Sequence, residues 1–126
     1  MTNYLLDTNI LIQQLRSRPT LVDLATRLPD QDGMYISAIT YAEVMAGMHV
    51  HEDARTQHTL NACVCLPVNQ FIADQAGRWI YQYARRGLQL TLADALIAAT
   101  AHMEQLTLVT TNTRHFPMPE LKLRTL

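Results

Sequence analysis

Tyr4-Leu5-Leu6-Asp7-Thr8-Asn9-Ile10-Leu11-Ile12 is an apolar run interrupted by a carboxylate and two further capping residues, then resumed. Its first part has the composition of a buried strand, about residues 3–7, and its second part that of a short helix. Asp7 therefore falls at the carboxyl edge of a sheet, where open α/β sheets bind their ligands. Two more acids occupy comparable junctions: Glu43, beyond the apolar stretch Met34-Tyr35-Ile36-Ser37, and Asp94, at the head of an apolar helix. Three carboxylates aimed at one edge repel one another unless a cation or proton neutralises them. All-oxygen donors suit Mg²⁺ or Mn²⁺, which keeps several waters, activates them as nucleophiles and stabilises charge on a phosphoryl oxygen.

The rest of the chain alternates strands and helices, the pattern of a parallel α/β sheet covered on both faces. After a turn at Arg18-Pro19, a second helix carries Leu21, Leu24, Ala25 and Leu28 at helical spacing. Residues 29–33 read as a loop and 34–37 as strand two. A helix over about 40–48 has a polar continuation, 49–61, with no clear pattern. Strand three covers about 63–66. The next helix places Ile72, Ala76, Trp79, Ile80, Tyr83 and Ala84 on one face and ends at Arg86-Gly87. A helix over about 92–105 is apolar nearly all round in its first half, so it belongs at the centre. Strand four covers 106–110, and 121–124 read as a short edge strand.

With 126 residues, nearly half of them apolar, the chain is expected to fold as one domain, 1–126, around one core. A formal charge of -1 excludes a global basic field, so any contact with nucleic acid must be local. Nine of the ten cations are Arg, which forks onto phosphate, although a compositional bias produces the same ratio. Cys63 and Cys65 are too close for a good disulfide and too few for zinc, and they read as small hydrophobes. Neither a signal peptide nor a membrane-length apolar run is expected, which points to the cytoplasm and to no membrane partner.

Each acid also has an ordinary structural reading. Asp7-Thr8-Asn9 can simply start a helix, and Thr40-x-x-Glu43 and Thr91-x-x-Asp94 both fit capping boxes. Their coincidence at one sheet edge is what favours a metal site. If strand four lies beside strand one, the segment Thr110-Thr111-Asn112-Thr113-Arg114-His115 faces Asp7. Thr111 and Asn112 are then placed to hold a metal-bound water, and Arg114 a phosphate. Arg78, Gln82 and Arg85 share a polar helix face, fit for an RNA backbone or only for solvent. His49, His51 and His58 read as surface residues.

With these residues in view, the chain resembles the PIN-domain ribonucleases, in particular the VapC-type toxins of toxin–antitoxin pairs. The resemblance is carried by residues 4–11, by Ser37-Ala38-Ile39-Thr40-Tyr41-Ala42-Glu43, by residues 92–101 and by residues 108–116, in family order across nearly the whole chain. It implies a three-layer α/β/α fold with a four- or five-stranded parallel sheet and a Mg²⁺- or Mn²⁺-dependent endoribonuclease. Asp7 and Asp94 would be the principal metal ligands, and Glu43 would complete the cluster and orient the attacking water. Thr8 and Asn9 would support Asp7, while Ser37 and Thr111 would line the site. The resemblance further implies a homodimer and a VapB-type antitoxin seated near the site. One departure stands out. Many members carry a fourth acid in the loop after strand four, where this chain has Asn112. One negative charge fewer predicts weaker metal binding or occupancy by a single ion.

Two other readings compete. A non-catalytic PIN-like module that binds RNA or a partner would also tolerate the loss of the fourth acid. An aspartyl-nucleophile phosphatase of the haloacid-dehalogenase type also opens with a strand ending in Asp. It wants a second acid where Asn9 stands and a supporting lysine that Lys122 is badly placed to supply.

Overall fold

The computed structural model describes residues 2–17, residue 28 and residues 31–126. Strand β1 (Thr2–Leu6) leads into helix α1 (Thr8–Ser17), and β2 (Gln31–Ser37) into α2 (Ala38–Ala46). Then come α3 (Asp53–Asn61), β3 (Val64–Leu66), α4 (Gln70–Ala84), α5 (Leu92–Met103), β4 (Thr107–Thr110), a 3₁₀ turn (Thr113–His115) and β5 (Lys122–Thr125). The five strands form one parallel sheet in the order β3-β2-β1-β4-β5. This is the three-layer α/β/α architecture with the five-stranded alternative realised. The helix expected over 21–28 and the turn at Arg18-Pro19 lie outside the described residues, apart from the buried Leu28.

Successive side chains of β1 point to opposite faces, so each face has its own apolar layer. Leu5 and Leu108 pack on one side with Ile72, Ala76, Trp79 and Tyr83 of α4 and the buried face of α5. Tyr4, Leu6, Ile36 and Val109 pack on the other with Ile10, Leu11 and Leu15 of α1, Val44 of α2 and Leu60 of α3. Strands buried on both faces must be apolar throughout, which is why Leu5-Leu6 and Leu108-Val109 are continuous runs. Helix α5 buries Ala95 and the unbroken stretch from Ile97 to Ala101, as its all-round apolarity requires.

Strand β2 starts three residues before the expected point. Thr2 pairs with Gln31 but Tyr4 with Met34, so the ladder takes up an extra residue on β2. Such an irregularity lets turn-like residues join a strand, and Asp32-Gly33 sit within it. The polar stretch after α2 holds a separate helix, α3, whose Thr56 and Leu60 are buried. Arg16 anchors the intervening turn: Nη1 donates to both carboxylate oxygens of Glu52 at 2.8 and 3.0 Å, and Nη2 donates to the Gly47 carbonyl at 3.0 Å. Just beyond α4, Gly87 takes a φ of +79°, and the Leu88 N–H returns to the Tyr83 carbonyl at 2.9 Å. That backbone is cheap only for glycine. It turns residues 88–91 across the carboxyl edge of the sheet towards α5.

From β1 the chain moves to β2 on one side, while β4 lies on the other. The crevice beyond β1 and β4 is therefore the topological switch point, the ligand-binding position of open α/β sheets.

Candidate active site at the carboxyl edge of the sheet

Asp7 lies at that switch point. Its backbone N–H extends the ladder with a 2.9 Å bond to the Val109 carbonyl, and its carbonyl accepts from Ile10 N–H at 3.0 Å, which starts α1. The side chain is 5% exposed. Oδ1 accepts from the Thr8 N–H at 2.8 Å, and Oδ2 accepts from the Thr110 hydroxyl, also at 2.8 Å. Each carboxylate oxygen has two lone pairs, so one on each remains for a ligand. Burial pushes the Asp7 carboxyl above its ordinary value. The bonds from Thr110 and Thr8 pull it back, and the negative charges of Asp94 and Glu43 push it up again. Both neighbouring acids thus act on Asp7 through space.

Glu43 is tied to Asp7 through Thr8. The buried Thr8 hydroxyl donates to Glu43 Oε1 at 2.7 Å and lies 3.1 Å from Thr40 Oγ1. A hydroxyl has one proton, so the Thr40 contact is closed by the proton of Thr40. The capping-box reading of Thr40 and Glu43 does not hold. Ser37 is the N-cap of α2, extended at φ -77° and ψ 151°, with Oγ accepting from Ile39 N–H at 3.1 Å. Thr40 lies a turn inside the helix and Glu43 a turn further, so that carboxylate is released from capping. The box reading at α5 holds in its first half: Thr91 Oγ1 accepts from Asp94 N–H at 3.1 Å. The Asp94 carboxylate itself stands 3.4 Å from His115 Nδ1, and His115 Nε2 lies 3.0 Å from Asn112 Nδ2.

The remaining expected residues fall as follows. Asn9, Thr111 and Arg114 are exposed, and Ser37 is fully buried under its cap. Asn112 donates its N–H to Thr110 Oγ1 at 3.0 Å, so one hydroxyl links Asp7 to the Asn112 loop. Arg114 shares a cavity of about 180 Å³ with Asp94 and His115. Away from the site, Arg78 pairs with Asp74 at 2.8 Å and the Arg85 guanidinium stacks 3.8 Å above the Tyr81 ring, so this face is internally partnered. Both cysteines are free, Cys63 buried with its thiol pushed up to about 11 by that burial. Thr110, the last residue of β4, bonds Asp7 although its place in the sequence does not set it apart from Thr111; the register does, because Leu6 pairs with Val109 one residue before each.

Among the described residues, no three His, Cys, Asp or Glu side chains are gathered into a ready metal cage. The donor set nevertheless fits a hard divalent ion. Mg²⁺ is commonly held by one or two carboxylates plus waters and substrate phosphate, not by an all-protein cage. Asp7 presents free lone pairs in a buried, acid-flanked position of that kind.

A family model for the PIN domain matches residues 4–120. The chain is 34% identical over 116 residues to the ribonuclease VapC10 of Mycobacterium tuberculosis, covering 92% of this chain and 87% of that one. It is 35% identical over 120 residues to the ribonuclease VapC19 of the same organism, covering 94% and 96%. Among solved structures, DNA-bound VapBC from Salmonella typhimurium superposes with a TM-score of 0.85 at 25% identity, over 99% of this chain and 98% of that one.

Proposed function

This chain belongs to the PIN-domain family, among its VapC-type ribonuclease toxins, and from that premise we propose that it is a Mg²⁺- or Mn²⁺-dependent endoribonuclease whose acidic cluster is Asp7, Glu43 and Asp94. The observation that carries the reading is the buried Asp7 at the switch point, with both oxygens oriented and both neighbouring acids acting on it. Asp7 and Asp94 hold the metal, and Glu43, steadied by the Thr8 hydroxyl, orients the attacking water. When bound, the divalent ion supplies Lewis-acid stabilisation of the phosphoryl oxygens and lowers the pKa of a coordinated water. Thr8 and Thr110 hold the carboxylates in place so that no reorganisation is needed as charge develops. Arg114 pairs with a substrate phosphate. Asn9, Thr111 and Asn112 form the supporting polar rim, and the buried Ser37 starts the helix that carries Glu43.

Residues 1–126 act as one domain in this reading. The partner is a VapB-type antitoxin, by likeness to the VapBC complex of Salmonella typhimurium. The toxin is a homodimer working in the cytoplasm. Among the described residues no helix is long and apolar enough to cross a membrane. The phosphatase reading loses its support, since the PIN match spans most of the chain and Lys122 sits exposed on β5.

The deciding experiment incubates the purified, antitoxin-free chain with total cellular RNA and Mg²⁺ or Mn²⁺, beside EDTA and Asp7→Asn controls. Discrete fragments that vanish in both controls are expected. Metal binding without cleavage would point to a missing substrate or an attenuated site, and neither binding nor cleavage would put the non-catalytic binding module in front.

A further inference from the structure

The cavity beside Asp94 has walls that a phosphate does not need. Residues 88–91, which Gly87 turns across the sheet edge, and residues 114–117 close it from two sides. Leu88, Leu90 and Pro117 give it apolar surface, while Gln89 contributes an amide. The Thr91 hydroxyl accepts from Asp94 N–H, which leaves its own proton to donate. Arg114 and the half-exposed His115 ring complete the lining. At about 180 Å³ the space is below the roughly 300–1,000 Å³ of sites for drug-sized ligands, so it suits a single ring system. The Asp94 carboxylate at one wall repels an anion inside the cavity.

We propose that this cavity, set between residues 88–91 and 114–117 against Asp94, holds one unstacked nucleobase of the RNA beside the phosphodiester that is cut. A base offers a flat apolar face and a polar edge. Leu88, Leu90 and Pro117 meet the face, and the Gln89 amide with the Thr91 hydroxyl meets the edge. Single-stranded RNA is recognised in this way, by splayed bases stacked on rings or guanidinium planes and hydrogen-bonded along their edges. Arg114, exposed in the same lining, takes the attached phosphate. Because the cavity adjoins a carboxylate of the acidic cluster, the base it selects sets the position of the cut. This subsite rests on the ribonuclease reading.

The test titrates the full chain, in EDTA, with the four nucleoside 5′-monophosphates and with ribose 5-phosphate, following backbone amide shifts by NMR. The expected result is movement of residues 88–91 with base-bearing nucleotides, one base preferred, and none there with ribose 5-phosphate, whose phosphate reaches only the Arg114 side. Gln89→Ala, an exposed loop change, should weaken the preferred nucleotide by about tenfold. Equal shifts with ribose 5-phosphate, no shifts at all, or an unchanged affinity in Gln89→Ala would overturn the subsite. So would shifts produced by N-acetyl-argininamide alone, which would assign the cavity to a protein side chain. RNA cleavage by the same protein with EDTA removed and Mg²⁺ or Mn²⁺ added separates the two readings. Cleavage without base binding sinks the subsite only, and base binding without cleavage sinks the ribonuclease and leaves a nucleotide site.

Discussion

The hydroxyl of Thr110 donates a 2.8 Å hydrogen bond to Oδ2 of Asp7, joining residues 103 positions apart in sequence. The bond exists because β4 runs parallel beside β1 with Leu6 paired to Val109, so the two residues leave the sheet side by side. Charge-assisted bonds of this kind are stronger than neutral ones, and here one fixes the rotation of a buried carboxylate. The same hydroxyl accepts from Asn112 N–H, so the loop after β4 is held to the carboxylate it serves.

Thr110→Val should therefore reduce RNA cleavage by roughly 10- to 100-fold, the range for partners that orient metal ligands. The lost bond also holds the Asp7 pKa down. Without it the pKa rises further, and the acidic limb of the pH–rate profile should move to higher pH. A pH-independent loss in Thr110→Val would mean that the hydroxyl does not act through Asp7.

Asp7→Asn should stabilise the metal-free protein while abolishing cleavage. Folding raises the Asp7 pKa above its ordinary 3.8, chiefly through burial. The protonated side chain thus favours the folded state fully below 3.8, and this contribution is lost as pH rises through the folded value. At neutral pH the ionised carboxylate is a cost that an amide avoids. Thermal melts in EDTA at pH 7 should show Asp7→Asn higher by a few degrees, the shift for roughly 1 kcal/mol in a domain of this size. The gap should shrink as pH approaches 4. Added Mg²⁺ should raise the native melting temperature and leave the variant unmoved.

The sequence placed Asp7 well because an apolar strand that ends in a carboxylate has little freedom of interpretation. Periodicity likewise located α4 and α5, whose buried faces are long enough to average out exceptions. What stayed hidden depended on pairing. Asp32-Gly33 look like a turn, and only the register shift against β1 makes them strand. Thr40 fits a cap on the sequence, yet Ser37, three residues earlier, takes that role. The choice is made by β2, which remains paired with β3 through Ser37 and Leu66, so the helix can start only after Ser37. Thr110 and Thr111 differ by one position, and in an extended chain one position reverses the face. Those distinctions require knowing which strand lies alongside.

Asn112→Asp should tighten Mn²⁺ binding by about tenfold, the lower end of effects from groups around metal ligands. It restores a negative charge to the loop that Thr110 ties to Asp7. The substitution also meets His115, now 3.0 Å from the Asn112 amide and 3.4 Å from Asp94. Calorimetric titration of Mn²⁺ into native chain and variant measures this, and equal affinities would show that the missing charge is immaterial.

Arg16 makes a further prediction, about the frame that carries Thr8. Its guanidinium joins the last turn of α1 to Glu52 and to the Gly47 carbonyl, closing the turn between α2 and α3. The His49 N–H donates to Glu52 as well, at 2.6 Å, and this bond with the Arg16 contacts holds the Glu52 carboxyl below its ordinary 4.5. A depressed folded pKa gives stability that is present above 4.5 and lost as pH falls through the lower folded value. Arg16→Met keeps much of the stem and removes the fork. It should lower the melting temperature modestly at pH 7. The deficit should narrow in high salt, because exposed pairs are screened, and narrow again in strong acid, where Glu52 is protonated in both proteins. A deficit that ignores both salt and pH would assign the loss to the guanidinium bond with the Gly47 carbonyl, which carries no titrating group.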